Sequence, residues 1–265
     1  MRRARPMAEA PLKGVGVLVT RPRAQSTELV AAIEEAGGSA FCFPVMEITA
    51  LDKNVVSARA AELGEPDIVV FVSRNAVEYG MQYTHDARIC VIGPATAAAV
   101  DSAGHFVDIQ PASGFDSEHL LAEPELQDVA GKHVRIIRGD GGRELLAEAL
   151  TARGAIVDYL SVYKRRLPDV SAQTLADIES RWRAGKISIV TVMSVQSLQN
   201  LHDLLPRWCK SQLESTPLVT PAARVLKEAL DRYPASRPIL ATGPQASEMV
   251  AAIISLHKTE PGLEQ

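Results

Sequence analysis

The chain has 265 residues, enough for one large domain or two smaller ones whose cores need no covalent staples. Hydrophobic residues at 46% and charged residues at 23% suit a soluble globular protein, and aromatics at 5% leave the core to Val, Ile, Leu and Ala. A net charge of −4 gives no general attraction for nucleic acid or an anionic membrane, so an acidic ligand would need a local cluster of donors.

The basic start through Met7 is followed by Glu9 and Pro11 rather than an apolar signal region, so residues 1–11 read as an unstructured tail. Apolar runs at 15–20, 40–44, 68–73, 89–92 and 106–109 read as buried strands, and a second set follows at 134–138, 156–162, 187–193, 217–219 and 239–242. They are continuous rather than alternating, as parallel strands covered on both faces are. Residues 26–36 and 143–153 have helical period, and each stretch is followed by a glycine placed to end it, Gly37 and Gly154. The alternation predicts an α/β fold with parallel sheets and right-handed crossovers. No apolar run approaches the ~20 residues of a membrane span, residues 258–265 read as a polar tail, and the cytoplasm is the default location. Cys42, Cys90 and Cys209 are odd in number and lie far apart, which suits reduced, buried thiols.

The two sets of strands match each other. Arg21, Leu29, Ile33 and Gly37 correspond to Arg138, Leu146, Leu150 and Gly154 at a separation of 117 residues. The Val69–Ser73 run corresponds to Val190–Ser194 at 121, Pro94 to Pro221 at 127, and Ser117-Glu118 to Ser247-Glu248 at 130. Matches in one order, with an offset that only grows, indicate a tandem duplication with five strands per copy.

Several chemistries are absent from the pattern. The six histidines form no HxH, HExxH or Cys–His spacing, so no metal is expected. There is no GxSxG elbow, P-loop or GxGxxG. The segment Arg138-Gly-Asp-Gly-Gly-Arg143 joins a strand to a helix. It reads equally as an anion-receiving loop at a helix start or as a tight turn that needs glycine. Ligands of parallel sheets bind at the carboxyl ends of strands. The residues there are Thr20-Arg21, Ser73-Arg74-Asn75, Gly93-Pro94-Ala95-Thr96, Arg138 with Arg143, Ser194, and Thr220-Pro221 with Arg224. As a set they suit a ligand rich in carboxylates, though each hydroxyl is also a natural helix cap. Tyr163 stands apart, because its counterpart in the first copy is Met46. A tyrosine at a cleft edge can donate a hydrogen bond or a proton, or be a packed aromatic with a wet tip.

Seven motifs occur in a telling order: Val17-Leu-Val-Thr-Arg-Pro22, Phe43-Pro-Val-Met-Glu-Ile48, Phe71-Val-Ser-Arg-Asn-Ala-Val77, Val91-Ile-Gly-Pro-Ala-Thr96, Arg138-Gly-Asp-Gly-Gly-Arg-Glu-Leu-Leu146, Val157-Asp-Tyr-Leu-Ser-Val-Tyr163 and Pro217-Leu-Val-Thr-Pro221. Over residues 14–255 their succession resembles the uroporphyrinogen-III synthase family. The resemblance implies two flavodoxin-like lobes with parallel five-stranded sheets, a HemD-like fold. Residues 12–45 and 168–257 would form lobe one and residues 50–160 lobe two, with connectors at 43–49 and 158–168.

It also implies an enzyme of haem biosynthesis that acts as a monomer without a cofactor. Its substrate would be hydroxymethylbilane, closed to uroporphyrinogen III with loss of water and inversion of ring D. By position Tyr163 matches the tyrosine proposed to help the hydroxyl leave. Ser73, Thr96 and Ser194 match hydroxyl positions at the cleft, Arg21, Arg138 and Arg143 match basic or loop positions, and Thr220 stands at a strand end of the same kind. The sequence departs from many members at Val72 and Met193, where they have Thr before the strand-end Ser, and from some at Ala222 and Ala223, where they have a Thr near the helix start. A non-catalytic tetrapyrrole-sensing domain of the same fold is the main alternative. A two-lobed sugar-nucleotide transferase would want a stronger glycine loop.

Overall fold

The β-branched runs fold as strands whose alternate residues enter opposite cores. In a computed structural model, which describes residues 10–142 and 144–259, the chain opens with β1 (Gly16–Val19), α1 (Arg23–Glu35) and β2 (Ser39–Cys42). The middle holds β3 (Glu47–Ala50), α2 (Lys53–Leu63), β4 (Ile68–Phe71), α3 (Arg74–Gly80), β5 (Arg88–Val91), α4 (Pro94–Ser102), α5 (Ser117–Ala122), β6 (His133–Gly139), α6 (Leu145–Ala152) and β7 (Ile156–Arg166). The last part holds α7 (Ala172–Arg183), β8 (Ile189–Thr191), α8 (Val195–Leu204), α9 (Arg207–Leu213), β9 (Leu218–Thr220), α10 (Ala223–Arg232), β10 (Ile239–Leu240) and α11 (Ala246–Lys258). Of the expected tails, residues 1–9 and 260–265 lie outside the described residues; Leu12 is buried and α11 runs to Lys258.

The chain forms two units, one from the residues up to Glu47 with those from Arg166 onward, the other Ile48–Arg165. The first contains the parallel sheet β10-β9-β8-β1-β2. In the order its strands occur within that unit this is 2-1-3-4-5, the flavodoxin-like arrangement. Val17 and Val19 pack with Leu29, Ile33, Met249 and Ile253 from α1 and α11, while Leu18 packs on the other face with Trp182, Leu198 and Leu201 from α7 and α8.

The second unit contains the sheet β3-β7-β6-β4-β5. Val69 and Phe71 face a core with Val77 and Val100 from α3 and α4, and Ile68 and Val70 face Leu120, Leu146 and Leu150 from α5 and α6. When β7, β6, β4 and β5 are matched to β2, β1, β8 and β9, the two sheets have the same order, but the second is entered at a different strand. The run at 106–109 is a correction to the ten expected strands. It makes only an isolated bridge between Cys90 and Ile109, where β10 would stand, and β3 completes the sheet at the other edge. The cause is Asp108, whose carboxylate accepts the Ile89 N–H at 2.7 Å and so takes a donor that a strand would use.

All three cysteines are free, and burial pushes the Cys90 thiol up and that of Cys209 up to about 11, so neither favours thiolate chemistry. Among the described residues, no helix is long and apolar enough to cross a membrane.

Candidate functional site

Strand order reverses between β1 and β8 in the first unit and between β6 and β4 in the second, and ligands of such sheets bind at the carboxyl ends beside such reversals. In the first unit Thr20 Oγ1 donates to the Thr191 carbonyl at 2.7 Å and Thr191 Oγ1 donates to the Leu18 carbonyl at 3.3 Å, so hydroxyls tie the two reversing strands together. Arg21 donates from Nη2 to the Pro244 carbonyl, holding the turn after β10. Ser194 caps α8, its Oγ accepting the Ser197 N–H at 3.1 Å. Thr220 is fully buried at the end of β9, and its Oγ1 accepts the Ala222 N–H at 3.2 Å. The hydroxyl of Ser194 thus serves the start of α8, while that of Thr220 closes the turn that leads into α10.

In the second unit Ser73 caps α3 in the same way, accepting the Ala76 N–H at 3.1 Å. Its Oγ also lies 3.1 Å from Tyr163 Oη, which joins two expected site residues 90 positions apart. Thr96 sits in the first turn of α4 behind Pro94 and is 6% exposed. Arg138 lies over the ring of Tyr159, 3.5 Å from its centroid, and pairs with Glu144 at 3.6 Å. Burial pushes the Tyr159 phenol up, partly opposed by the Arg138 charge. Gly141 and Gly142 have φ of +71° and +140°, so the loop after Arg138 needs glycine for its turn. Arg143 lies outside the described residues. Among those that are described, no cluster of His, Cys, Asp or Glu could hold a metal ion.

Tyr163 differs from the expected cleft-edge residue, for it is 0% exposed. The register explains this. Arg138 pairs with Ser161 but Gly139 pairs with Tyr163, so β7 carries one extra residue there. Such a bulge re-aims the next side chain, and here Val162 and Tyr163 enter the same core in succession, which the alternation of a regular strand does not allow. The phenol ring lies on Gly139, where an added Cβ would stand 2.5 Å from Cε2. Two further partners escaped the sequence reading. Arg165 Nη2 donates to Tyr163 Oη at 3.2 Å, and the Tyr79 ring lies 6.1 Å away, tilted at 44°. Arg165 had a signal, being two residues along the same strand and therefore on the same face; Tyr79, on another element, had none.

The family model described as uroporphyrinogen-III synthase HemD matches residues 27–251. The uroporphyrinogen-III synthase of Escherichia coli (strain K12) is 34% identical over 203 residues, covering 73% of this chain and 81% of that protein. That of Salmonella typhimurium (strain LT2) is 35% identical with the same coverage. A mutant uroporphyrinogen III synthase from the extremely thermophilic bacterium Thermus thermophilus has a similar fold, with a TM-score of 0.61 at 19% identity over 92% of this chain and 99% of that one. The uroporphyrinogen-III synthetase of Helicobacter pylori 26695 gives 0.59 at 12% identity over 91% and 99%.

Proposed function

We infer that this chain, which belongs to the uroporphyrinogen-III synthase family, closes hydroxymethylbilane to uroporphyrinogen III with loss of water and inversion of the terminal pyrrole ring. The match of the family model over 27–251 carries this reading. The reaction asks little of acid–base groups. A pyrrole nitrogen expels the hydroxyl of the hydroxymethyl group and leaves a resonance-stabilised cation. Attack from the substituted carbon of the terminal ring gives a spiro intermediate that fragments and recloses. Closure without the enzyme gives the uninverted isomer, so the main task is to hold a flexible chain in the other geometry.

The strand ends of each unit suit the substrate's many carboxylates. Helices α1, α4, α8 and α10 start after β1, β5, β8 and β9, and none has an acidic residue in its first turn. Proteins commonly place Asp or Glu there, at about 0.3–1 kcal/mol apiece, so these amides remain suited to a carboxylate from outside. Helices α6 and α11 instead carry Glu148 and Glu248. In this reading Arg21, Thr96, Arg138, Arg143 and Ser194 bind substrate, the fully buried Thr220 holds the turn into α10, and Tyr163 with Ser73 assists departure of the hydroxyl. The protein works as a cytoplasmic monomer without a cofactor.

The test supplies freshly made hydroxymethylbilane and separates the oxidised products by isomer. The inverted isomer, formed faster than spontaneous closure, is the expected result. The uninverted isomer alone, at the no-enzyme rate, overturns the reading.

A further inference from the structure

Tyr163 has its hydroxyl inside the protein. The residue is 0% exposed, whereas Ser73, to which the hydroxyl is bonded, is only half-buried. The hydrogen bonds also fix the direction in which protons point. A guanidinium only donates, so Arg165 occupies a lone pair of Tyr163 Oη at 3.2 Å. Among the described residues the remaining hydrogen-bond partner of Oη is Ser73 Oγ, so the buried phenol hydrogen is satisfied by pointing there. Ser73 Oγ can accept twice, from the Ala76 N–H at 3.1 Å and from Tyr163. Its own hydrogen is then the one left to leave the cluster, on the residue nearer solvent.

We propose that Ser73 hands the proton to the departing hydroxyl, with Tyr163 as the relay behind it and Arg165 as the fixed cation behind Tyr163. The proposal rests on the synthase reading and deepens it. As the pyrrole nitrogen pushes and the C–O bond breaks, the leaving oxygen takes the Ser73 proton and departs as water. Ser73 Oγ takes the Tyr163 proton, and the resulting phenolate lies beside the Arg165 guanidinium. When the macrocycle closes and a pyrrole ring sheds a proton to regain aromaticity, that proton returns through Ser73 to Tyr163. No proton is gained or lost over the cycle. Ser73 is therefore the catalytic residue that touches substrate, and Arg165 is a positioning residue that acts through Tyr163.

The test is steady-state kinetics on hydroxymethylbilane with the inverted isomer as readout, on intact variants checked by circular dichroism. Ser73→Ala lowers kcat about 10²-fold with KM nearly unchanged, the lower range for a lost proton donor. Ser73→Asp keeps the cap acceptor of α3 but has no proton to give at neutral pH, and it loses as much; Ser73→Thr keeps the proton and recovers most of the rate. Tyr163→Phe lowers kcat, and adding it to Ser73→Ala costs nothing further, because both remove one relay. Arg165→Met costs roughly tenfold in kcat alone and nothing in a Tyr163→Phe background, and Arg165→Lys restores part of it. Full activity in Ser73→Asp overturns the proposal. So do losses from Ser73→Ala and Tyr163→Phe that multiply, or an Arg165→Met variant that raises KM alone. These outcomes defeat the relay while the wild type still makes the inverted isomer; a wild type that makes none defeats the synthase reading itself.

Discussion

The same cross-strand position is filled in opposite ways in the two units. In the first, Leu18 of β1 faces Phe41 of β2; in the second, Arg135 of β6 faces Asp158 of β7, each pair 117 residues from its counterpart. Leu18 and Arg135 are both 0% exposed. Arg135 makes two bonds to the Asp158 carboxylate, at 2.9 and 3.0 Å, and a third to the Gly64 carbonyl at 2.9 Å, and Asp158 also meets His133. The fold thus asks for volume here and not for charge, and the ion pair is a local solution that depends on every partner being present.

The largest effect is expected from breaking that pair. Asp158→Ala leaves the Arg135 guanidinium buried without its carboxylate and should cost about 3–5 kcal/mol. The double change Arg135→Leu with Asp158→Phe, which copies the first unit, should return most of it. Both tryptophans, Trp182 and Trp208, lie in the first unit, so their fluorescence follows that unit while circular dichroism follows both. In urea the single variant should lose dichroism ahead of fluorescence. Equal losses from the single and double variants would mean that the charges are required after all.

A smaller effect sharpens a second contrast, at the strand ends. Gly139 is level with Tyr163 and gives way to its ring, while the equivalent positions of the first copy hold Pro22 and Met46 and no aromatic. A methyl at 139 would lie 2.5 Å from Cε2 and 2.7 Å from Cζ, so the ring must move off Ser73. Overpacking of this kind costs about 1–3 kcal/mol. Gly139→Ala should lose at least as much kcat as Tyr163→Phe despite retaining the phenol. Activity near wild type would show that the ring tolerates displacement and that its placement matters little.

How much of this could be read from the chain depends on the range of the interactions. Strands β1 and β4, Gly-Val-Leu-Val and Ile-Val-Val-Phe, are buried along their whole length and announce themselves by composition. The pairing of β1 with β8, two strands separated in sequence by the whole second unit, leaves no local mark, because any parallel strand has the same continuous pattern. Strand β3, Glu-Ile-Thr-Ala, is mixed in character and has no strand signature of its own, so only the family resemblance marked its neighbourhood, as a connector. Tyr163 could be singled out because the duplication did not require it. Its burial could not, since the bulge at Gly139 is a property of two strands in register. The Arg138 loop shows the opposite limit: its glycines are legible as turn formers, but that Arg138 would lie over the ring of Tyr159 is settled by packing alone.

The smallest effect separates two serines that the duplication made alike. Ser73 and Ser194 stand 121 residues apart, and each caps its helix by accepting an N–H three residues on at 3.1 Å. The cap accounts for both and should be worth about 1 kcal/mol in each. Beyond it they diverge, because the second neighbour of Ser73 Oγ is a phenol backed by a guanidinium and that of Ser194 Oγ is the Ser197 hydroxyl at 2.8 Å. Ser194→Ala should therefore lose about 1 kcal/mol of stability, raise KM by a small factor and leave kcat close to wild type, as the loss of uniform binding does. Ser73→Ala should lose the same stability and much more kcat. Equal falls in kcat for the two would place the chemistry in the cap itself and remove Tyr163 as the feature that distinguishes one copy from the other.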